Sequence, residues 1–216
     1  MAAAGTKTGL RERKKQRTRQ TIVDVATRLF VEQGYEQTTL AQIAEEAEVA
    51  LSTFFNYFPT KVDIVCSTTD AVVDSARRRI AERPEGESAM HAVAGWLRED
   101  LPAVEMPYAE SIRRLPGIIA SSPELIAEQR LRLARLEDVI AAGFARDLGE
   151  SADGMRSRVL AAIALRGMIE AWTAWFEKHA LDADFHLEEA LEAKAVHVLR
   201  VLENGLAYID LLNAPA

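Results

Sequence analysis

The side chains best suited to recognise another molecule lie between residues 50 and 61. Asn56 carries an amide that can pair with adenine through two hydrogen bonds. Thr53 and Tyr57 carry hydroxyls that can donate to phosphate oxygens, and Lys61 supplies a cation. This combination is typical of a nucleic-acid contact, in which phosphates fix the position of the protein and base edges give specificity.

The motifs of common enzyme classes are missing from the sequence. It contains no H-E-x-x-H, no phosphate-binding P-loop, no G-x-G-x-x-G and no G-x-S-x-G. The four histidines and the single cysteine, Cys66, do not have the spacing of a metal site, and Cys66 can form no internal disulfide. We therefore expect no catalytic site, no metal and no cofactor, and the sequence argues against an enzyme.

An all-α scaffold is predicted to position these groups, because apolar residues recur at the 3.6-residue period between proline and glycine breaks. About nine helices are expected, at residues 13–33, 40–47, 51–58, 61–83, 88–101, 108–121, 123–148, 155–179 and 187–212. Gly34 ends the first helix. Thr39 and Gln42 fit a capping box at the start of the second, and Ser122-Pro123-Glu124 begins the seventh.

The second and third helices are too short to bury much surface alone, so the first and fourth must support them. Such a pair is a helix-turn-helix, whose second helix lies in the major groove of DNA. Its expected core consists of Ile43, Ala44, Ala47, Val49 and Phe54. Its expected outward face consists of Ala50, Leu51, Ser52, Thr53, Phe55, Asn56 and Tyr57.

Two runs, GYEQTTLAQIA at residues 34–44 and VALSTFFNYFPTK at 49–61, resemble the TetR family of repressors. The resemblance implies that Ser52, Phe55 and Asn56 meet base edges. It also implies that Thr39, Thr53, Tyr57 and Lys61 contact phosphates or support helix ends. With a cation from the N-terminus, the DNA-binding candidates are Arg17, Thr39, Leu51, Ser52, Thr53, Phe55, Asn56, Tyr57 and Lys61.

The sequence departs from the family pattern at Ala50, Leu51 and Phe55. Many members carry Ser or Thr in place of Ala50, and Lys or Arg in place of Leu51. Leu51 therefore either touches a thymine methyl group or packs on its neighbours. Phe55 stands where tyrosine is common, so one hydroxyl donor is missing.

Charge is distributed unevenly along the chain. Residues 1–19 hold seven Lys or Arg against Glu12 alone, whereas the whole chain has a formal charge of −7. A basic segment is attracted to phosphate and an acidic body is repelled by it. We expect residues 1–19 to form a flexible basic arm that adds non-specific charge or enters the minor groove. A merely solvated tail is the alternative.

The remaining domains follow from these assignments. A helix-turn-helix DNA-binding domain is expected at residues 11–61, with the helix-turn-helix itself at about 38–58. A larger helical domain for ligand binding and dimerisation is expected at residues 62–216. Within it, residues 115–136 and 160–172 resemble the C-terminal domains of actinobacterial regulators related to the mycofactocin-system regulator, some of which respond to acyl-CoA thioesters.

Several side chains of this second domain could line a ligand cavity. The candidates are Trp96, Leu115, Ile119, Leu136, Ile140, Phe144, Arg166, Ile169 and Trp172. A fully packed core is the alternative for the apolar ones. Arg166, which interrupts an apolar stretch, either meets an anionic ligand or pairs with Glu170 four residues later.

The last two helices offer a seam for dimerisation, and two such helices from each subunit can form a four-helix bundle. On the last helix the seam consists of Leu187, Leu191, Ala195, Val198, Leu202 and Ile209. On the helix before it, the corresponding residues are Ala161, Ala164, Leu165, Met168 and Trp172. Part of this seam could instead belong to the core of one chain.

Together these features predict a homodimeric repressor that leaves a pseudo-palindromic DNA operator when an apolar or amphipathic small molecule binds. A constitutive DNA-binding protein with no inducer is the alternative. The longest apolar run, residues 159–165, is too short to span a bilayer, and no signal-peptide pattern is present. We therefore expect a cytoplasmic protein without membrane contact.

Overall fold

The computed structural model describes residues 4–179, 192, 195, 196 and 198–200. Over this part of the chain the structure is all-α, as predicted, and contains no strand. The helices are α1 (Ala4–Gln33), α2 (Leu40–Glu46), α3 (Leu51–Phe54), α4 (Lys61–Val65), α5 (Ser67–Ala76), α6 (Ala89–Gly95), α7 (Leu101–Glu105), α8 (Ala109–Ala120), α9 (Pro123–Leu148) and α10 (Met155–His179). Two compact units result: unit 1 runs to Thr68 and includes Pro107–Gln129, and unit 2 holds Thr69–Met106 and the chain from Arg130 onward.

The first helix is longer than the sequence predicts. It begins at Ala4 instead of residue 13, so the basic segment is helical from residue 4 and differs from the flexible arm that we expected. Lys, Arg and Gln are good helix formers, which explains the extension. The helix ends at Gly34 as predicted: Gly34 has a φ of 91°, and its N–H donates to the carbonyl of Phe30 at 3.1 Å.

Unit 1 is built around apolar side chains from α1 and from the helix-turn-helix. Ile22, Ala26 and Phe30 of α1 are buried, as are Ile43 of α2 and Phe54 of α3. The predicted helix-turn-helix core is confirmed for Ile43, Ala44, Ala47 and Phe54, whereas Val49 is only half-buried. This core fixes the helix-turn-helix on α1, since neither α2 nor α3 is long enough to be stable alone.

Helix α8 also belongs to unit 1, where polar contacts join its start to α1. Gln16 donates to the hydroxyl of Tyr108 at 2.9 Å, and Ser111 donates to the Asp24 carboxylate at 2.8 Å. Gln20 donates to the carbonyl of Pro107. The boundary predicted between residues 61 and 62 separates a DNA-binding domain from a domain for ligand binding and dimerisation. This division by function stays a prediction.

Two predicted helices are divided in the structure. The predicted helix at residues 61–83 is interrupted at Cys66 and ends in a π-helical turn, Arg77–Ala81. The predicted helix at 88–101 changes to a π-helical turn at Trp96–Asp100, and α7 then continues past the predicted end. Pro102 lies in the first turn of α7, directly after the π-helical turn, and the chain stays helical through this proline.

Unit 2 contains a buried arginine whose ion-pair partner is an exposed residue. Arg83 pairs with Asp147 of α9, and the same carboxylate accepts from the N–H of Ala89. The Arg83 guanidinium also donates to the carbonyls of Ile80 and Gly143, at 2.8 and 2.9 Å. A buried charge is tolerated only when it is paired and hydrogen-bonded in this way. This arginine ties the end of the π-helical turn to α9.

No helix in the part of the chain that the structure describes is long and apolar enough to cross a membrane. Among the same residues, no three His, Cys, Asp or Glu side chains converge in a group that could hold a metal ion.

Candidate nucleic-acid interface

The first short helix of the pair, α2, is fixed at its start by local hydrogen bonds. The Thr39 hydroxyl accepts from the N–H of Gln42 at 3.2 Å, while the Gln42 side chain accepts from the N–H of Thr39 at 2.9 Å. The predicted capping box is therefore confirmed. Thr39 is exposed, but its hydroxyl already supports the helix end, which is one of the two roles that the family resemblance implies.

The turn between α2 and α3 has a left-handed residue that is not glycine. Glu48 has a φ of 54°. The N–H of Val49 donates to the carbonyl of Ala44, and the N–H of Glu48 donates to that of Glu45, at 2.9 and 3.0 Å. These two bonds form a Schellman motif, whose left-handed position usually holds glycine. The turn therefore holds Glu48 in a left-handed conformation that glutamate disfavours.

The second short helix, α3, presents its predicted face to solvent. Ala50, Leu51, Ser52, Thr53, Phe55 and Asn56 are exposed, and Tyr57 is half-buried. Phe54 and Phe58 are fully buried on the opposite side and attach the helix to unit 1. The structure therefore brings the candidate base-contacting residues together on one surface, whereas their contacts with DNA stay a prediction.

The end of α3 is tighter than an α-helix. The sequence predicts a helix to residue 58, but α-helical geometry stops at Phe54, and the N–H groups of Asn56 and Tyr57 bond three residues back instead of four. The Asn56 side-chain amide donates to the Ser52 carbonyl at 3.3 Å, the group that its own backbone N–H would use in an α-helix. The Asn56 oxygen still lies on an exposed side chain and can accept from a base.

Arg19 of α1 holds the end of α3. Its guanidinium donates to the carbonyl of Tyr57 at 3.4 Å and lies 4.3 Å from the centre of the Phe58 ring. Burial raises the pKa of the Tyr108 hydroxyl, and Arg19 and Gln16 act against that shift. From the sequence, Arg19 was expected only to be one of the basic residues of the arm. Its partners, Tyr57 and Phe58, are distant in the sequence, and no local pattern connects them with residue 19.

Lys61 also supports the scaffold. Its ammonium donates to the carbonyls of Tyr35 and Glu36, at 2.8 and 3.3 Å, and lies 4.4 Å from the centre of the Tyr35 ring. Burial, with the charges of Glu124 and Glu36, raises the pKa of the Tyr35 phenol. The two roles implied for Lys61 are phosphate contact and support of a helix end. The structure shows the supporting role, because the ammonium holds the chain just after the end of α1.

The remaining cations of unit 1 lie mostly on the first half of α1. Arg11, Arg13, Lys14, Lys15 and Arg17 are all exposed on this helix. By contrast, residues 29–60 contain five glutamates and no lysine, arginine or aspartate. Arg28 pairs with two of these glutamates, Glu32 and Glu46, and thereby joins α1 to α2. The helix-turn-helix surface is therefore acidic or neutral, and the basic surface is beside it on α1.

The candidate ligand residues divide between the two units. Trp96, Leu136, Ile140 and Phe144 are buried together in the core of unit 2, and Ile169 packs against that core. The Trp96 indole N–H donates to Ser75 at 2.9 Å, as expected of a well-packed position. Leu115 and Ile119 lie on α8 in unit 1 and are only half-buried, so the structure does not place them in this cluster.

Arg166 does not point into the core of unit 2. Its side chain is 74% exposed and pairs with Glu170, which is the alternative that the sequence left open. The side chain of Trp172 lies outside the described residues. The proposed ligand contacts of the other candidates remain predictions.

The predicted dimer seam needs correction. Ala161, Ala164, Leu165, Met168, Ala195 and Val198 are all buried in the core of unit 2, so they pack within the chain. Among the large apolar side chains of α10 that the structure describes, Met155 and Val159 are exposed. Leu187, Leu191, Leu202 and Ile209 lie outside the described residues. An apolar seam and an intrachain core have the same helical periodicity, which is why the sequence could not separate them.

Two family models match the chain. The one for bacterial regulatory proteins of the tetR family matches residues 22–66, which span the helix-turn-helix. The model described as the MftR C-terminal domain matches residues 83–199.

Characterised relatives match over comparable lengths. The transcriptional regulator TcmR of Streptomyces glaucescens is 34% identical over 167 residues, which are 72% of this chain and 71% of TcmR. The transcriptional repressor KstR of Mycolicibacterium smegmatis is 28% identical over 69% of this chain and 64% of its own.

Solved structures share the fold at lower identity. A TetR-family regulator from Mesorhizobium loti aligns with a TM-score of 0.56 at 20% identity, over 89% of this chain and 96% of its own. The regulator FadR of Bacillus subtilis, solved in complex with stearoyl-CoA, aligns with a TM-score of 0.53 at 22% identity. The alignment covers 86% of this chain and 97% of FadR.

Proposed function

We propose that this chain, which belongs to the TetR family of DNA-binding transcriptional regulators, is a repressor that a small amphipathic molecule releases from its operator. The observation that supports operator binding best is the outward face of α3. Six residues of this segment are exposed, while Phe54 and Phe58 on its other side are fully buried. A helix held so firmly can present hydrogen-bonding groups to base edges without being ordered at the moment of binding.

Dimerisation is the second part of the proposal. One recognition helix reaches only a few base pairs, so a specific site requires two of them, about 34–36 Å apart on successive major grooves. The exposed apolar side chains of Met155 and Val159 on α10 support a contact between subunits there. The operator would then be pseudo-palindromic. We expect Val159→Glu to give monomers that bind the operator weakly, with sedimentation velocity as the measurement and Glu170→Gln as the surface control.

Release by an amphipathic ligand is the third part. FadR of Bacillus subtilis shares the fold and was solved with stearoyl-CoA, so this fold can hold a long acyl chain. The candidate ligand residues in the core of unit 2, unlike the exposed Arg166, are apolar, as an acyl chain requires. KstR, which the chain matches at 28% identity, is named a repressor, which supports the direction of control.

An operator selection followed by a release assay tests this proposal. The full chain is used to enrich DNA from a random library, and fluorescence anisotropy then follows the complex as stearoyl-CoA is added. Coenzyme A and stearate serve as controls for the two halves of the molecule. Release by the thioester alone supports the proposal, and no enrichment of any DNA sequence contradicts operator binding.

The constitutive alternative is also supported by one observation. Trp96, Leu136 and Ile140 are almost completely buried, and Trp96 is hydrogen-bonded within the chain. Such packing is typical of a core without a ligand. An enriched operator that no acyl-CoA of any chain length releases would favour this constitutive regulator.

A further inference from the structure

The part of the helix-turn-helix that faces outward has no group able to read guanine in the usual way. The commonest specific contact to DNA is a bidentate bond from Arg or Lys to the O6 and N7 atoms of guanine. Residues 29–60 contain neither amino acid. A contact of this kind from α2, the turn or α3 therefore cannot form.

The cations that flank α3 in the sequence and in space are engaged elsewhere. Lys61 donates to the carbonyls of Tyr35 and Glu36. Arg19 donates to the carbonyl of Tyr57 and stacks on Phe58. Both side chains hold backbone carbonyls of the scaffold, so neither takes the place of a guanine-reading side chain.

Two apolar side chains occupy the exposed face instead. Leu51 is 45% exposed and Phe55 is 47% exposed. Phe55 follows the last residue of α3, and its N–H donates to the carbonyl of Leu51 at 3.2 Å, so the two residues lie one helical turn apart. Phe55 meets the buried ring of Phe54 edge to face, with ring centres 6.1 Å apart and planes at 89°. This contact fixes the direction in which the Phe55 ring points.

We infer that α3 recognises its operator through thymine, whose C5 methyl groups contact Leu51 and Phe55, beside an adenine that pairs with Asn56. In the major groove the thymine methyl is the apolar feature of a base edge, and apolar side chains are its natural partners. The Asn56 amide, exposed next to this patch, suits the N6 and N7 atoms of adenine. The inference rests on the proposed operator binding and adds which bases are read.

Deoxyuridine provides the test, because it differs from thymidine only by the missing methyl group. The operator is first identified by selection with the unmodified full chain. Each thymidine of a half-site, with its symmetry mate, is then replaced by deoxyuridine, and the affinity is measured by fluorescence anisotropy. Burial of one methyl group corresponds to about a fourfold change in affinity, so a symmetric pair of replacements should weaken binding about 15-fold at the contacted positions.

Variants of the two side chains identify which methyl group each one contacts. In Leu51→Ala and Phe55→Ala, the deoxyuridine effect should disappear at one position each and persist at the other. Val31→Ala, which shortens an exposed apolar side chain of α1, is the matched control and should leave every deoxyuridine effect in place. Because all three positions are exposed, circular dichroism should show unchanged thermal midpoints within a few degrees.

The outcomes separate the inference from the function on which it rests. Weaker binding at defined thymines, abolished by one of the two variants, supports methyl recognition. An enriched operator whose affinity does not change with any deoxyuridine overturns it, even though operator binding then stands. Much weaker binding by Phe55→Ala without any deoxyuridine effect also overturns it, since that result indicates a ring inserted between bases. Failure to enrich any DNA contradicts the proposed function itself.

Discussion

Two neighbouring regions of unit 1, the first half of α1 and the helix-turn-helix, differ in charge and in the groups they expose. Residues 1–19 hold seven Lys or Arg against one glutamate. Residues 29–60, which include the helix-turn-helix, hold five glutamates and no cation, and residues 51–56 expose leucine, phenylalanine, serine, threonine and asparagine. The first region suits phosphates, which have the same charge in every sequence, and the second suits base edges, which differ.

This difference indicates a division of work within one DNA-binding unit. Attraction to phosphate acts over a distance and depends on salt, whereas contacts with bases act only at short range. Because the glutamates of the helix-turn-helix oppose approach to DNA, α1 must supply most of the attraction. Non-specific affinity and sequence preference should therefore be separable by substitution, which the following predictions examine.

The largest effect should come from neutralising the exposed cations of α1. The variant replaces Arg11, Arg13, Lys14, Lys15 and Arg17 with glutamine and keeps Arg19 and Gln16, which bind other parts of unit 1. We expect DNA affinity to fall about 10²-fold and its dependence on salt to become clearly shallower, since each phosphate that is no longer neutralised reduces the slope by about 0.9. Fluorescence anisotropy at several salt concentrations measures both quantities.

The same variant should keep its sequence preference, with operator and scrambled DNA weakened by similar factors. Replacing Arg130 and Arg135, exposed cations of unit 2, with glutamine is the control and should change little. If the five substitutions leave the salt slope as it was, α1 is not the source of attraction and the division of work is wrong.

Asn56→Ala should have the next largest effect, and of the opposite kind. A bidentate pair with adenine contributes about 1–3 kcal/mol of discrimination, so the operator should bind roughly 5- to 150-fold more weakly. The slope against salt should stay the same, because the variant neutralises as many phosphates as the parent chain does. A repeated selection with this variant should show relaxed preference at one base pair in each half-site. If the preference at that base pair persists, the Asn56 amide does not read a base and only donates to the Ser52 carbonyl.

Much of the fold could be predicted because the deciding signals are local. The capping box at Thr39 needs only residues three apart. The structure gives α9 the bounds that the sequence predicts and begins α10 at the predicted residue, since Ser122-Pro123 starts one helix and apolar periodicity marks both. The outward face of α3 could be predicted for the same reason: burial of Phe54 determines which neighbours face solvent.

Features that depend on distant partners could not be predicted. Arg19 and Lys61 appear in the sequence as cations available for DNA, yet both bind carbonyl groups brought near by the fold. Val198 belongs to the core of unit 2, although its helical spacing equally suits a dimer seam. Where α3 ends early, the Asn56 amide donates to the Ser52 carbonyl, and composition does not reveal this hydrogen bond.

Lys61→Met should test whether this residue supports the scaffold or contacts phosphate. If it supports the scaffold, as its hydrogen bonds indicate, the variant cannot form those charge-assisted bonds and should be about 1.5–3 kcal/mol less stable. The slope of DNA affinity against salt should then not change. Thermal unfolding followed by circular dichroism measures the first quantity, and anisotropy the second. Unchanged stability with a slope shallower by about 0.9 per subunit would instead assign Lys61 to phosphate.

The smallest expected effects separate charge from backbone geometry at a single residue, Glu48. Its left-handed conformation costs a non-glycine residue about 1–2 kcal/mol, and glycine in its place costs about 0.5–1 kcal/mol in backbone entropy. Glu48→Gly should therefore raise the free energy of unfolding by up to about 1 kcal/mol, whereas Glu48→Gln, which keeps the strain, should leave it unchanged. Both variants remove a negative charge from the acidic surface. At low salt both should therefore bind DNA a few-fold more tightly than the parent chain, and at high salt both should bind as tightly as the parent chain. Equal stability of the two would show that the strain of the Schellman turn is no larger than the entropy cost of glycine, and equal binding by the parent chain at low salt would show that the glutamates do not oppose the approach of DNA.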